Sequence, residues 1–137
     1  MLADLSIGCG KEEFLRKQEA YCEEARVQLL SEEFYGWISL CKPDTAGYNQ
    51  MKGYAYVSPI GTDSIALHIK SDTTCIDTII VFPVMCKLVD KRIPCTIFLD
   101  PSGYEAGQYS NGNSRIEFSF LFGACKRNSY FDGFGEK

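Results

Sequence analysis

Side chains that could bind flat rings and phosphates are concentrated in one stretch, "KGYAYVSPIGTDSIALHIK" at residues 52–70. Tyrosine rings can stack on nucleic acid bases, a contact worth about 1–3 kcal/mol per base, and lysine ammonium groups can contact the phosphates. A histidine ring offers a similar flat surface. The candidate nucleic-acid-binding residues are Lys52, Tyr54, Tyr56, His68 and Lys70.

The spacing of the two tyrosines fits a β-strand. Residues two apart share one face of a strand, so Tyr54 and Tyr56 project together while Ala55 and Val57 face the opposite side. If that opposite side is the core, both tyrosine rings stand on the outer surface. Tyrosines also favour strands and cover partly exposed sheets. A purely structural role therefore stays open, as it does for His68, the only histidine of the chain.

Residue types for catalysis and metal binding are scarce. A single histidine gives acid–base chemistry few participants, and no Cys-x-x-Cys pair has a second pair downstream. The segment "GCGKEEF" at residues 8–14 has a Gly-x-Gly-Lys but lacks the spacing and the Ser/Thr of a phosphate-binding loop. The sequence predicts a protein that is not an enzyme and has no metal site and no cofactor.

Length and charge limit the other possibilities. The chain of 137 residues suits one domain, 1–137, and 45% apolar residues are enough for a core. The net charge of −4 gives no general attraction to a polyanion. Any nucleic acid contact must therefore be local and depend on stacking and a few lysines.

The seven cysteines are widely spaced and odd in number. The start "MLADLSIGCGKEEF" lacks the basic flank of a signal peptide, and no run reaches the ~18 apolar residues of a membrane span. These features predict a reduced, soluble, intracellular and cytoplasmic protein with free thiols and no membrane contact. Secretion with three disulfides and one spare thiol remains an alternative.

The helices and strands that must position the candidate residues follow from the pattern of residue types along the chain. Residues 11–34 contain no Gly or Pro and have apolar side chains at helical spacing, which predicts one N-terminal amphipathic helix. Residues 35–123 predict a β body with polar loops at 42–51 and 100–114, and residues 124–137 a C-terminal tail. The predicted strands are Tyr35–Cys41, Gly53–Ser58, Ser64–Lys70, Ile76–Phe82, Ile93–Leu99 and Arg115–Phe122.

Two short motifs resemble those of cold-shock domains. "KGYAYV" resembles the first ribonucleoprotein motif of that family, "IALHI" is similar to the second, and "YGWISL" resembles the opening strand. The resemblance at residues 52–69 implies an OB-type barrel whose second and third strands bind single-stranded nucleic acid through Tyr54, Tyr56 and His68. Ala66 and Ile69 stand where the family usually has aromatic residues.

The fold expected from these observations is mainly β, of the α+β kind. The N-terminal helix should precede a five- to six-stranded antiparallel OB-like barrel. The β-branched run 73–89, interrupted by Pro83, replaces the helix that an OB barrel usually has there. It keeps open an alternative fold, a β-sandwich with one packed helix.

Two functions of different classes follow. The first is a non-enzymatic module that binds single-stranded RNA or DNA through surface aromatic residues. The alternative is a protein-interaction module, such as a viral or phage-type accessory factor, that docks on a larger partner through the N-terminal helix. That helix should expose a charged face with Glu12, Arg16, Glu19, Glu23 and Arg26. A ligand pocket inside the barrel has no positive signal, and the sequence does not predict the oligomeric state.

Overall fold

The structure, a computed structural model, describes residues 19–71, 76–89, 93–123 and 125–136. Within these ranges, residues 19–31 form a helix, α1, and eight β-strands follow it. The strands are β1 Glu33–Cys41, β2 Tyr48–Ile60, β3 Ser64–Ser71, β4 Asp77–Val89, β5 Ile93–Leu99, β6 Glu105–Ser110, β7 Arg115–Phe120 and β8 Ser129–Glu136. No helix among the described residues is both long enough and apolar enough to cross a membrane.

The strands form a closed antiparallel barrel in sequence order. Each strand pairs with the next, and β8 returns to pair with β1, with Gly36 opposite Gly133. The predicted mainly β fold with a helix and a closed antiparallel barrel is confirmed. The strand count is different: the described chain has eight strands where five to six were predicted. The sheet closes on itself, so it is not the alternative sandwich.

The two additional strands lie where glycines and polar residues suggested turns. β6 occupies part of the predicted loop 100–114, and β8 occupies most of the predicted tail 124–137. Their glycines are needed for close packing, since a Cβ at Gly107 would overlap the backbone of β7 at Phe118. β2 also begins earlier than predicted, at Tyr48, inside the predicted loop 42–51. Glycine therefore marks close approach of strands here as well as turns.

Aromatic side chains fill the barrel. The buried ring of Phe118 lies between four others, with centroid distances of 6.0 Å to Phe82, 6.2 Å to Phe98, 6.0 Å to Phe120 and 5.4 Å to Phe131. The interior of an eight-stranded barrel is just wide enough to be filled by side chains or to hold one small ligand. In the described barrel these rings occupy the interior. The outer surface is therefore the part of the barrel that a ligand can contact.

Helix α1 covers one end of the barrel. Its residues Ala25 and Leu29 are buried, and Arg26 donates hydrogen bonds to the carbonyl oxygens of Gly61 (2.9 Å) and Ser64 (3.4 Å) in the β2–β3 hairpin. Arg26 is therefore held by the barrel rather than free on an exposed face. Of the predicted charged face, Glu19 and Glu23 are exposed, whereas Glu12 and Arg16 lie outside the described residues.

The predicted helix 11–34 is only partly described, because residues 11–18 lie outside the described ranges. Its end is corrected: the helix ends at residue 31, and Phe34 belongs to β1. The ring of Phe34 points into the barrel and meets Tyr109 edge to face at 5.4 Å. Burial of this ring requires the alternation of a strand, which overrides the helical composition of the preceding residues.

A buried polar cluster joins the end of α1 to the β6–β7 turn. Tyr109 donates a hydrogen bond of 2.6 Å to buried Glu32, and Ser114 donates one of 3.1 Å to the same carboxyl group. Gln28 donates to Ser114 at 3.1 Å. Burial, and then the contact with Glu32, raise the pKa of Tyr109 above its ordinary value. These bonds satisfy a carboxyl group that would be costly to bury alone.

Two disulfides correct the prediction of free thiols. Cys22 of α1 is bonded to Cys86 of β4, and Cys41 at the end of β1 is bonded to Cys125 before β8. Cys95 is a buried free thiol. The remaining two, Cys9 and Cys75, lie outside the described residues. Spacing in the sequence did not reveal these pairs, since their partners are 64 and 84 residues apart.

The second disulfide lies at the barrel end opposite α1, next to an arginine clamp. Arg127 donates hydrogen bonds to four carbonyl oxygens of the β1–β2 loop, those of Lys42, Thr45, Ala46 and Gly47, at 2.7–3.2 Å. Its guanidinium also lies 4.9 Å from the ring centroid of Tyr48. Both ends of the barrel are thus held by a disulfide together with an arginine that binds backbone carbonyls.

We predict that peptide mapping without reductant links Cys22 to Cys86 and Cys41 to Cys125. Replacing both Cys22 and Cys86 with Ala should lower the free energy of unfolding by about 2–4 kcal/mol, because the link restricts the unfolded chain. Denaturant unfolding of the oxidised proteins measures the loss. Cys95→Ala is the control, since it should leave both linked peptides in place. A peptide map that lacks one or both of these links would contradict the pairing.

Candidate functional site on the outer face of β8, β1, β2 and β3

The five predicted residues lie on one outer face of the β2–β3 hairpin. The register pairs Tyr54 with Lys70 and Tyr56 with His68. The alternate residues of β2 that point the other way, Ala55 and Val57, are buried in the core. The two tyrosines and the histidine are half-buried. The strand alternation that suggested an outward face for these rings is therefore present.

Tyr56 and His68 form a stacked pair. Their ring centroids are 4.3 Å apart and their planes differ by 7°. The His68 ring is also held by a hydrogen bond of 3.1 Å between its Nε2 and the hydroxyl of Ser58. The Nζ atom of Lys70 lies 5.9 Å from the Tyr56 ring centroid. One face of each stacked ring is covered by the other, which leaves the pair to act as a single two-ring unit.

Lys52 lies over a different ring from the one that Lys70 approaches. Its Nζ atom is 6.0 Å from the ring centroid of Trp37 on β1, directly across the strand pairing. Trp37 is the only tryptophan of the chain, and half of its side chain is exposed. A lysine over an indole ring keeps its charge in solvent while its stem covers part of the ring.

A cross-strand row of rings extends the predicted site. The register places Phe134 of β8, Tyr35 of β1, Tyr54 of β2 and Lys70 of β3 side by side on the outer face. The Tyr35 and Tyr54 centroids are 6.0 Å apart, and Phe134 is 54% exposed. Tyr35 donates a hydrogen bond of 2.7 Å to Glu33, and that carboxylate raises the pKa of Tyr35. Three neighbouring strands thus present three rings in line.

Sequence reasoning missed three residues of this surface: Tyr35, Trp37 and Phe134. The signal for the first two was present, because Tyr35 and Trp37 alternate with Phe34 and Gly36 at the start of β1. Phe134 could not be placed, since β8 was predicted as a tail. Only closure of the barrel brings β8 beside β1. The five predicted residues and these three form one surface, which we call the aromatic face: Tyr35, Trp37, Lys52, Tyr54, Tyr56, His68, Lys70 and Phe134.

An open groove borders the aromatic face on the side of β6 and β7. It has a volume of about 1150 Å³, and its aromatic wall comprises Tyr35, Trp37, Tyr130 and Phe134. Its polar wall comprises Gln108, Arg115, Glu117 and Asp132. This wall lies beside the rings, since Asp132 is paired with Trp37 and Arg115 with Phe134. The groove therefore places hydrogen-bonding groups next to a row of rings.

The polar wall is a connected network. Arg115 donates two hydrogen bonds to Asp132, of 3.1 and 2.8 Å, and lies 3.4 Å from Glu117. Gln108 donates to the other oxygen of Glu117 at 3.2 Å. Asp132 raises the pKa of Arg115, so this guanidinium stays charged. A bidentate arginine–carboxylate pair fixes the direction of both groups.

Charges of both signs lie on the outer surface. Lys52 and Lys70 lie on β2 and β3, and Asp77 of β4 is paired with Lys70. The carboxylates Glu105, Glu117 and Asp132 lie on β6, β7 and β8, together with Arg115. The lysines of β2 and β3 are the cations of the aromatic face that can contact phosphate groups.

Reactive groups are few in the part of the chain that is described. No group of three or more His, Cys, Asp or Glu side chains could hold a metal ion within these ranges. The thiol of Cys95 is buried, and this burial raises its pKa, which lowers its reactivity as a nucleophile. Its Sγ atom lies 3.7 Å from the side-chain oxygen of Gln108.

Comparison with known proteins finds no match among family models, curated proteins or solved structures.

We predict that Lys52 attracts anions to Trp37. Replacing Lys52 with Ala should lower the quenching of tryptophan fluorescence by iodide and change the quenching by neutral acrylamide much less, because only iodide responds to the lysine charge. The control Lys87→Ala changes an exposed lysine on β4. An equal loss of iodide quenching in both variants would contradict the contact between Lys52 and Trp37.

Proposed function

We propose that this protein is a non-enzymatic module that binds single-stranded nucleic acid on its aromatic face. The observation that carries the proposal is the cross-strand row Phe134, Tyr35 and Tyr54, which ends at Lys70 and lies beside the stacked pair of Tyr56 and His68. Such a surface combines the two ingredients of sequence-tolerant single-strand binding, exposed rings and nearby cations.

The spacing of the rings supports stacking of successive bases. Neighbouring strands lie about 4.8 Å apart, and the Tyr35 and Tyr54 centroids are 6.0 Å apart. A single strand with unstacked bases can follow the row across β8, β1 and β2 and place one base on each ring. Lys70 at the end of the row, and Lys52 beside Trp37, then reach the phosphates on either side.

The charge of the protein determines how this binding responds to salt. With two lysines as the phosphate contacts, the logarithm of the binding constant should fall with the logarithm of salt concentration at a slope of about −1.4. Most of the affinity would come from stacking. The net charge of −4 makes a strong non-specific attraction implausible.

The local resemblance to cold-shock domains supports the same proposal. β2 and β3 present Tyr54, Tyr56 and His68 on one face of an antiparallel pair, which is how the resemblance at residues 52–69 expects the rings to be used. We extend it to an OB-like mode of binding, in which two adjacent strands of the barrel carry the ligand. The rings on β1 and β8 enlarge that platform.

A protein-interaction module is the second candidate, and an exposed apolar stripe favours it. The outer side of β4 carries Ile79, Val81 and Met85, each about half exposed. This stripe is a better candidate for a docking surface than the predicted face of α1, because Arg26 of that face is hydrogen-bonded to the β2–β3 hairpin. The two disulfides favour an oxidising compartment for either function, in place of the predicted cytoplasm.

The double replacement of Tyr54 and Tyr56 by Ala tests the proposal. Two stacking rings are removed, so binding to a mixed-sequence single strand should weaken by about 2–6 kcal/mol at low salt. Both rings lie outside the core and lose only cross-strand contacts with Tyr35 and His68, worth about 0.2–1 kcal/mol each, so the melting temperature should fall modestly and the variant should stay folded. Fluorescence anisotropy of a labelled oligonucleotide and a thermal melt measure the two effects.

The matched control is Tyr104→Ala, which removes an exposed tyrosine in the β5–β6 turn, away from the aromatic face. It should leave oligonucleotide binding unchanged. Unaltered binding by a well-folded double variant, or the absence of any binding by the parent protein at low salt, would refute the proposal. The protein-interaction module would then be the better account.

A further inference from the structure

The groove between the aromatic face and the strands β6 and β7 has features that binding of a nucleic acid strand does not use. Its aromatic wall adds Tyr130, which is 46% exposed, to rings on β1 and β8. Its polar wall, directly beside these rings, carries carboxylates and an amide, which are poor partners for phosphate. The groove therefore suits a ligand of a different class.

The aromatic wall is a set of apolar surfaces held on rigid strands. Trp37 and Tyr130 lie on the adjacent strands β1 and β8, and about half of each residue is exposed. Exposed rings of this kind can cover the flat, C–H-rich faces of pyranose sugars. Contact with such faces removes apolar area from water without requiring any charge on the ligand.

The polar wall supplies both donors and acceptors in fixed directions. Glu117 is held by Gln108 and Arg115, and Asp132 is held by two bonds from Arg115. Carboxylate oxygens have more acceptor sites than these bonds occupy, and the Gln108 amide has a further donor and a carbonyl oxygen. Sugar hydroxyls, which both donate and accept, can bind to such a preorganised row.

Charge distinguishes the ligand class. The carboxylates of Glu105, Glu117 and Asp132 repel phosphate or other anions, yet Arg115 neutralises one of them and approaches a second. The remaining negative charge is modest and half-exposed, so a cationic ligand gains little. A neutral, polyhydroxylated ligand matches both walls.

We propose that the groove over β6, β7, β8 and β1 binds a neutral oligosaccharide. The rings Trp37 and Tyr130 stack on sugar faces, and Gln108, Glu117 and Asp132 bind the hydroxyl groups. The groove, of about 1150 Å³, is large enough for several sugar units. This site shares Tyr35, Trp37 and Phe134 with the aromatic face but does not include the stacked pair of Tyr56 and His68. Sugar binding and oligonucleotide binding are measured with different ligands, so either can fail without the other.

Trp37 provides the readout, because it is the only tryptophan and it lines the groove. The folded, oxidised protein is titrated with a panel of neutral hexasaccharides: cellohexaose, xylohexaose, maltohexaose, mannohexaose and chitohexaose. At least one should give a saturable change in tryptophan emission with a dissociation constant of about 1 mM or lower. Hexalysine and a heparin hexasaccharide serve as the cationic and anionic probes and should give no saturable change.

Two variants of exposed groove residues locate the site. Tyr130→Ala removes a ring, and Glu117→Gln keeps the shape of the side chain but removes its charge. Each should weaken sugar binding by about tenfold or more, which corresponds to about 1.4 kcal/mol. The control Ile79→Ala, on the outer side of β4, should not change it. Circular dichroism checks that each variant is folded.

Each remaining outcome overturns the proposal. No saturable change with any neutral sugar means that the groove does not bind this class. A response to hexalysine or heparin alone assigns the groove to a charged ligand. A sugar response that persists in both folded groove variants places the sugar elsewhere. By contrast, the proposal predicts that a Tyr56→Ala variant keeps its sugar binding, because Tyr56 does not line the groove.

Discussion

The close approach of β1 and β8 is the constraint on which the rest of the structure depends. Gly36 and Gly133 lie opposite each other, and a Cβ at Gly36 would overlap the carbonyl oxygen of Asp132. Only glycine permits this contact, and the contact closes the barrel. Closure removes the free edges of the sheet, which would otherwise pair with other chains. It also brings Tyr35 beside Phe134, so the same contact creates the row of rings outside.

A filled interior directs function to the outside. The ring of Phe118 has phenylalanine rings on several sides, and the hydrogen-bonded cluster of Glu32, Tyr109 and Ser114 occupies the end beneath α1. Well-packed rings and satisfied polar groups form a rigid scaffold. Rings on the outer face are then held in fixed positions by the strands that carry them. Such preorganisation lowers the entropic cost of binding.

The sequence revealed the parts of the fold with strong alternation. β3 and β5 were predicted within one residue of their observed bounds, and the outward placement of Tyr54, Tyr56 and His68 follows from a period of two. β6 and β8 escaped prediction because glycines interrupt their patterns. The end of the helix at residue 31 was also not predicted. The Glu-rich residues before Phe34 have the composition of a helix, and only the burial of the Phe34 ring requires a strand. The disulfides depend on tertiary proximity that no local pattern contains.

Only part of the candidate site could be predicted from the sequence, because the rest of it also depends on tertiary proximity. Residues 52–70 carry their own signal, but Tyr35 and Phe134 become neighbours only when the ends of the sheet meet. A surface assembled from the first and last strands cannot be read from a local motif. The polar network of Arg115, Glu117 and Asp132 arises from the pairing of β7 with β8 and was equally hidden.

The measurement that most directly tests the account is an amide NMR titration of the protein with a mixed-sequence single-stranded oligonucleotide at low salt. The account predicts that the largest shift changes occur in residues 33–37, 52–56, 68–70 and 132–134, on adjacent strands of the barrel. Amides of β5 and of α1 should change little. Largest changes on β4, β5 or α1, or no changes at all, would contradict the claim that the aromatic face is the binding surface.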